Sequence, residues 1–435
     1  MSKTASEFTV NDTFRLALYT SAAAPFSAKS PQLHEAPERR ARSRVIVSID
    51  DHLVEPPDMF EGRMPKKFAD RAPRVVETDD GAHQWVLDGA VLTQIGINAV
   101  VGQNRDEVLV EPTRFEDMRP GTYDVHARIR DMDIDGVYAS LCFPSLVGFA
   151  GIRLQGLKDQ EFGLAAMRAW NDWHIEDWVG AYPERFIPCQ IPWLNDARVG
   201  AEEIRRNAQR GFRAVTFPEL PGKLGFAPLV SAYWDPLFEA CEETGTVVCV
   251  HTGSAGNPVM TEGSEQSLGT LFGSGHSMIT AIEWVHAGIA ARYPDIKICL
   301  SEGGIGWVPC LLDRLEHQER YRDAKAHFQI GGDPDRTGLA VGDPMLRETL
   351  SRNYWFCTLD DPSTIALRHR IGIDKIMFEV DYPHADSSWP NTQSRFEHIL
   401  RDVPEHEREM IAWKTAADLF EHPVPASVVA DPESY

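Results

Sequence analysis

The chain has 435 residues, 43% of them hydrophobic, and a formal charge of −22. That much apolar residue can bury a large core, and an acidic surface repels phosphate backbones, which argues against a nucleic-acid partner. No uncharged apolar run reaches about 18 residues, so no membrane span is expected. The seven cysteines show no CxxC pairing and fall mostly in apolar runs, as small core residues of a protein kept in the reducing cytoplasm do.

In chain order, residues 1–43 lack the apolar stretch of a signal peptide and are rich in Ser, Ala, Pro and charge, the composition of a flexible N-terminal arm. From about residue 45 to 420, short apolar runs alternate with longer helical patterns. The runs are VIVSI (45–49), YASLCF (138–143), FIPCQI (186–191), RAVTF (213–217), TVVCVH (246–251), IKICLS (296–301), YWFCTL (354–359) and IMFEV (376–380). Short, largely uncharged and rich in β-branched and aromatic residues, they suit strands buried on both faces. Eight strand–helix units mean parallel strands with right-handed crossovers, in a closed barrel or a doubly wound sheet. No GxGxxG follows the first run, and polar residues end several different runs, which selects a (β/α)8 TIM barrel over residues 44–425. Residues 56–123 are too long for a simple loop and form an insertion over the barrel mouth, with HQWVLDGAVLTQIG as a hairpin turning at Asp88-Gly89. The Gly- and Ser-rich stretch 253–275 is expected as a long loop, a candidate lid, and 426–435 as a surface tail.

The chemistry begins with Ile49-Asp50-Asp51-His52. Alternate strand residues share a face, so Asp50 and His52 project together while Asp51 points away as a structural residue. His251 closes VVCVH and Asp381 closes MFEVD. An unpaired polar group at such a buried strand end costs roughly 1–3 kcal/mol, and four of them on three strands share one explanation, a metal ion. Glu219, Glu302 and His384 lie at or just past strand ends and are further candidates.

Asp50-x-His52 with Pro56, His251-Thr252, the run Ser301 to Trp307, and Asp381-Tyr382-Pro383-His384 together resemble the amidohydrolase superfamily, in the branch of aminocarboxymuconate-semialdehyde decarboxylase and the resorcylate decarboxylases. The likeness spans about residues 45–420 and implies a divalent ion, zinc, manganese or iron, one or two per chain. Its ligands would be Asp50, His52, His251 and Asp381, with Asp381 also handling the proton of an activated water. Members of the branch are frequently oligomers. Two departures matter. Decarboxylases of this branch end the sixth strand with a catalytic His, where this chain has Glu302. No lysine ends the fourth strand, where Glu219 sits near the position of the bridging carboxylated lysine.

Three activities follow for a small-molecule substrate. The first is hydrolysis of a carbonyl substrate by a metal-activated water, with Asp381 or Glu302 taking the proton. The second is non-oxidative decarboxylation. The third is oxygen activation at iron, with Glu302 and His384 completing a second site. Hydrolysis is the main expectation, with Asp381, Glu302 and His384 as the proton-handling set. Trp307, Phe143, Tyr382 and Trp389 are candidate walls for an apolar or ring-bearing substrate.

Overall fold

A computed structural model describes residues 31–92, 95–96, 98–104, 112–256, 268–321 and 338–435. All eight apolar runs are strands. β1 (Val47–Leu53) is followed by the three short strands of the insertion, β2 (Arg74–Glu77), β3 (His83–Leu87) and β4 (Ala90–Leu92). The ring then continues with β5 (Ala139–Pro144), β6 (Phe186–Ile187), β7 (Cys189–Gln190), β8 (Ala214–Phe217), β9 (Val247–His251), β10 (Ile298–Ser301), β11 (Tyr354–Thr358) and β12 (Ile376–Phe378). Every pairing between ring strands is parallel.

One expected strand is split in two because Pro188 has no N–H to give. Its carbonyl still accepts from Arg213 N at 3.0 Å and Ala214 N at 3.1 Å, so the path of β6 and β7 reaches β8. At the other seam, Asp381 N donates to Asp50 O at 2.8 Å and His52 N to Tyr382 O at 2.7 Å, tying the continuation of β12 to β1. Helices alternate with the strands, and Asp124, Asp159 and Asp196 each cap one by accepting a first-turn N–H.

Two apolar layers result. Val47, Ile49, Leu141, Phe143, Cys189, Cys249, Cys299, Cys357 and Met377 fill the barrel interior. A larger layer, with Trp170, Trp234 and Trp284, lies between strands and helices. The cysteines are free thiols, buried except for Cys310.

The hairpin turns where expected, with Asp88 and Gly89 both at positive φ (49° and 81°), and β2 adds a third antiparallel strand that the sequence reading did not contain. Two expectations need correction. The loop placed over 253–275 gives way to a helix, Leu268–His286, whose early Gly and Ser residues masked it; residues 257–267 lie outside the described residues. Residues 31–43 are anchored, whereas 1–30 are outside the description. Leu33 bridges Gln103, Arg42 N donates to Glu433 Oε1 at 2.7 Å, and the Arg42 guanidinium sits 4.0 Å from the Tyr435 ring centroid. No described helix is long and apolar enough to cross a membrane.

Candidate metal centre

Val47 and Ile49 face the barrel interior, so strict alternation would send Asp51 in after them. The pairing of β1 with β5 slips between Ser48 and Asp51, and this bulge shifts the phase by one residue. Asp50 and His52 therefore enter the barrel, and Asp51 leaves it. Asp51 then accepts from Ser48 Oγ at 3.1 Å, from Tyr382 N at 2.9 Å and from Ser140 Oγ, the structural role expected of it.

Inside the mouth four side chains converge. His52 Nε2 lies 3.2 Å from His251 Nε2, 3.6 Å from Asp50 Oδ1 and 3.2 Å from Asp381 Oδ1; His251 Nε2 is 3.4 Å from Asp50 Oδ1. A tetrahedral cation with bonds of about 2.0–2.2 Å separates its ligand atoms by about 3.3–3.6 Å, so the spacing of Asp50, His52 and His251 fits one ion, while Asp381 adjoins that trio through His52 and groups with His52 and His384. Among the described residues neither Asp50 carboxylate oxygen, both buried, has a hydrogen-bond partner, an arrangement that calls for a cation. Two imidazole nitrogens aimed at each other make equal sense as joint ligands. His251 Nδ1 is 2.6 Å from Thr252 O, which fixes its proton there and leaves the Nε2 lone pair facing inward. These residues fit a divalent ion.

The electrostatics agree. Desolvation first, and the charge of Asp381 second, push the Asp50 carboxyl well above its usual range. Glu379 is raised by desolvation and by Asp50. His52 is pushed well below its ordinary value by desolvation, then by His384 and His251. A bound cation reverses the penalty on the acids.

Glu302 is brought to the site but not into the cradle. Its Oε2 lies 3.3 Å from His251 Nδ1, the nitrogen on the far side of the ring, so its expected part as a metal ligand is corrected to that of a partner of His251. The turn after β10 holds it there at φ 58°, with its N–H donating to Glu379 Oε2 at 3.1 Å. Asp381 also sits at φ 58°. Such conformations cost a non-glycine residue about 1–3 kcal/mol and gather at functional sites.

His384 is at the site. Its Nδ1 is 2.9 Å from Asp381 Oδ1 and its ring stacks on His52 at 3.9 Å. Desolvation alone would lower its pKa, but the charge and hydrogen bond of Asp381 outweigh that and leave it raised.

Glu219 stands apart, buried and committed. Its N–H donates to Ser254 Oγ, its carboxylate accepts from Ala255 N and Thr280 Oγ1, and its carbonyl accepts from Trp284 Nε1.

Of the four expected aromatic walls, Phe143 is in place, 4.9 Å from His251 ring to ring. Tyr382 is not a wall. Following inward-facing Asp381 it points outward, its hydroxyl donating to Asp131 Oδ2 at 2.6 Å with the Arg128 guanidinium 4.2 Å from its ring. Trp389 joins the same cluster, donating to Asp131 O at 3.1 Å beneath Arg119. Trp307 packs edge-on against Phe356 at 5.5 Å.

Three residues escaped the sequence reading. Glu379 shares a face with Asp381 two residues on, a spacing that could have revealed it. Arg128 is fully buried and donates to Gly121 O at 2.6 Å and to the His52 carbonyl, with no sequence signal beyond a helical arginine. Phe149 stacks on His251 at 4.2 Å, in a loop whose flanking glycines hinted only at a turn.

Comparison with known proteins meets this geometry. The 2-amino-3-carboxymuconate-6-semialdehyde decarboxylase of Dictyostelium discoideum is 24% identical over 284 residues, covering 64% of this chain and 71% of that protein. An amidohydrolase from Mycobacterium avium subsp. paratuberculosis K-10 superposes with a TM-score of 0.63 at 22% identity, over 87% of this chain and 100% of that one. A variant 5-carboxyvanillate decarboxylase from Novosphingobium aromaticivorans DSM 12444, holding manganese and 3-methoxy-4-hydroxy-5-nitrobenzoic acid, superposes with a TM-score of 0.60 at 16% identity, over 88% and 100%. At these identities the structures speak for the fold. The amidohydrolase family model matches residues 56–421, and with most of the barrel matched, this chain belongs to the amidohydrolase family.

Proposed function

We propose that the chain is a metal-dependent lyase that removes carbon dioxide from a small hydroxylated ring carboxylate without an oxidant. The observation that carries this reading is His384, poised on Asp381 and grouped with it and His52 beside the Asp50–His52–His251 donors. It offers an imidazole proton donor although Glu302 stands where decarboxylases of this branch have their histidine. The main expectation from sequence was hydrolysis; the decarboxylase relatives favour the other branch.

Asp50, His52 and His251, with Asp381 beside them, would hold a divalent ion, which would supply Lewis acidity toward a carboxylate and its neighbouring hydroxyl. Asp381 holds the Nδ1 proton of His384 and so orients the ring, leaving Nε2 to hand a proton to the carbon that bears the carboxylate. The carbon–carbon bond then breaks, carbon dioxide leaves, and the bonding pair stays with the ring. Glu302 and the Thr252 carbonyl steady His251. Hydrolysis, with Asp381 as base, is the second reading, and it is favoured by Glu302 in place of the histidine.

The test incubates manganese-, zinc- and iron-loaded protein with ortho-hydroxylated ring carboxylates in deuterated water, with and without oxygen. Carbon dioxide release with one deuterium at the vacated carbon and no oxygen uptake supports the reading. Ester or amide cleavage with the ring carboxylate retained, or stoichiometric oxygen consumption, overturns it.

A further inference from the structure

The loop after β5 supplies none of the donors, yet it is built with unusual backbone effort. Gly148, Ala150 and Gly151 all sit at positive φ (70°, 56° and 65°), with Phe149 among them. Ala150 is an L residue in a left-handed conformation, which persists only where its surroundings over-determine it. They do so here. Leu146 N donates to Glu55 Oε2 at 2.6 Å, and Glu55 Oε1 takes Trp170 Nε1 at 2.9 Å. Arg153 Nη1 donates to Leu146 O at 2.8 Å, Gly148 N to Ser145 O at 3.1 Å and Gly151 N to Gly148 O at 2.9 Å. A Cβ at Gly151 would come within 3.3 Å of Ile191.

What the strain places is one ring. Phe149 lies on the His251 imidazole at 4.2 Å and 19°, 5.8 Å from the His52 ring, and edge-on to Phe143 at 6.3 Å. Of the two phenylalanines in ring contact with His52 and His251 among the described residues, Phe143 is fully buried and Phe149 is half-buried. Tyr382 and Trp389 are spent in the Asp131 cluster. Among the described residues, the open aromatic surface beside the donors is therefore a flat plate on a braced turn.

We propose that Phe149 is the specificity-determining residue of the site, selecting flat ring acids over puckered ones with the same chelating groups. A planar ring can lie against a phenyl face or edge at van der Waals distance, whereas the axial hydrogens of a saturated ring hold it off. The proposal deepens the decarboxylase reading and rests on it for the class of ligand.

The experiment measures binding to manganese-reconstituted protein by calorimetry. Its two probes are 2-hydroxybenzoate and cis-2-hydroxycyclohexanecarboxylate, which carry the same carboxylate and hydroxyl on a flat and a puckered ring. Manganese content is read in parallel. Wild type is expected to prefer the flat acid about tenfold, the scale of one aromatic pair. Phe149→Ala should reduce the preference below about twofold with manganese content unchanged. Phe149→Leu, which keeps the bulk and guards against misfolding, should do the same. Retention of the wild-type preference in both variants overturns the proposal, as does a wild type that holds manganese but shows no preference. A wild type that takes up no manganese overturns instead the reading beneath it.

Discussion

The two ends of the barrel handle charge in opposite ways. At the strand starts, opposite charges meet. Arg44 reaches Glu397 at 2.6 Å and Glu405 at 2.8 Å, and Arg185 reaches Asp133 at 2.8 Å while also donating to the Val137 carbonyl at 3.1 Å. At the strand ends, like charges crowd. Asp50, Asp381, Glu379 and Glu302 gather with no lysine or arginine paired to them among the described residues, only imidazoles. One end is built for stability, and the other stores an electrostatic debt that a cation relieves.

The strand-end cluster is most vulnerable at His251. Replacing it with Ala should strip the metal and lower turnover by at least about 10³-fold, because the ligand set and the partner of Thr252 and Glu302 go together. Elemental analysis and steady-state rates check this, with helix content read by circular dichroism expected to stay constant.

Smaller effects separate the ends by stability. Arg185→Met at the strand starts should lower unfolding free energy by about 2–3 kcal/mol, since Asp133 and the carbonyls of Val137 and Tyr138 lose a donor, while metal content is unchanged. Asp50→Asn at the strand ends should do the reverse. It abolishes metal uptake yet stabilises the metal-free protein by about 1–2 kcal/mol, because a desolvated carboxylate beside Asp381 is neutralised. Denaturant titrations of metal-free protein decide both, and a destabilised Asp50→Asn would contradict the contrast.

His174, in the layer between strands and helices, sharpens it further. Burial lowers its pKa to about 3, against 6.5 for the free side chain. The unfolded chain therefore binds the extra proton first as pH falls, and stability drops from about pH 6.5 downward toward pH 3. Between pH 6.5 and 5 that loss is at most about 2 kcal/mol. His174→Gln should remove it, seen as a flatter acid limb of Tm against pH.

Much of this was legible beforehand. The eight runs were readable because strands buried on both faces must be short and apolar. Asp50, His52, His251 and Asp381 were readable because polar residues ending such runs need a shared partner. Direction was harder. The bulge between Ser48 and Asp51 leaves no compositional trace, although it decides which aspartate enters the barrel. Tyr382 and Trp389 looked like pocket walls because proximity in sequence to Asp381 does not tell which side a ring takes. Asp131 and Arg128, on a helix some 250 residues earlier, decide it. Phe149 depends on left-handed torsions at Gly148, Ala150 and Gly151 around it, which no spacing rule predicts.

The most direct test is anomalous diffraction from crystals grown with manganese. The account predicts a single strong peak bounded by Asp50 Oδ1, His52 Nε2, His251 Nε2 and Asp381 Oδ1, each about 2.0–2.3 Å from the ion. An empty cradle in manganese-bearing crystals, or a peak coordinated elsewhere in the barrel, would contradict it.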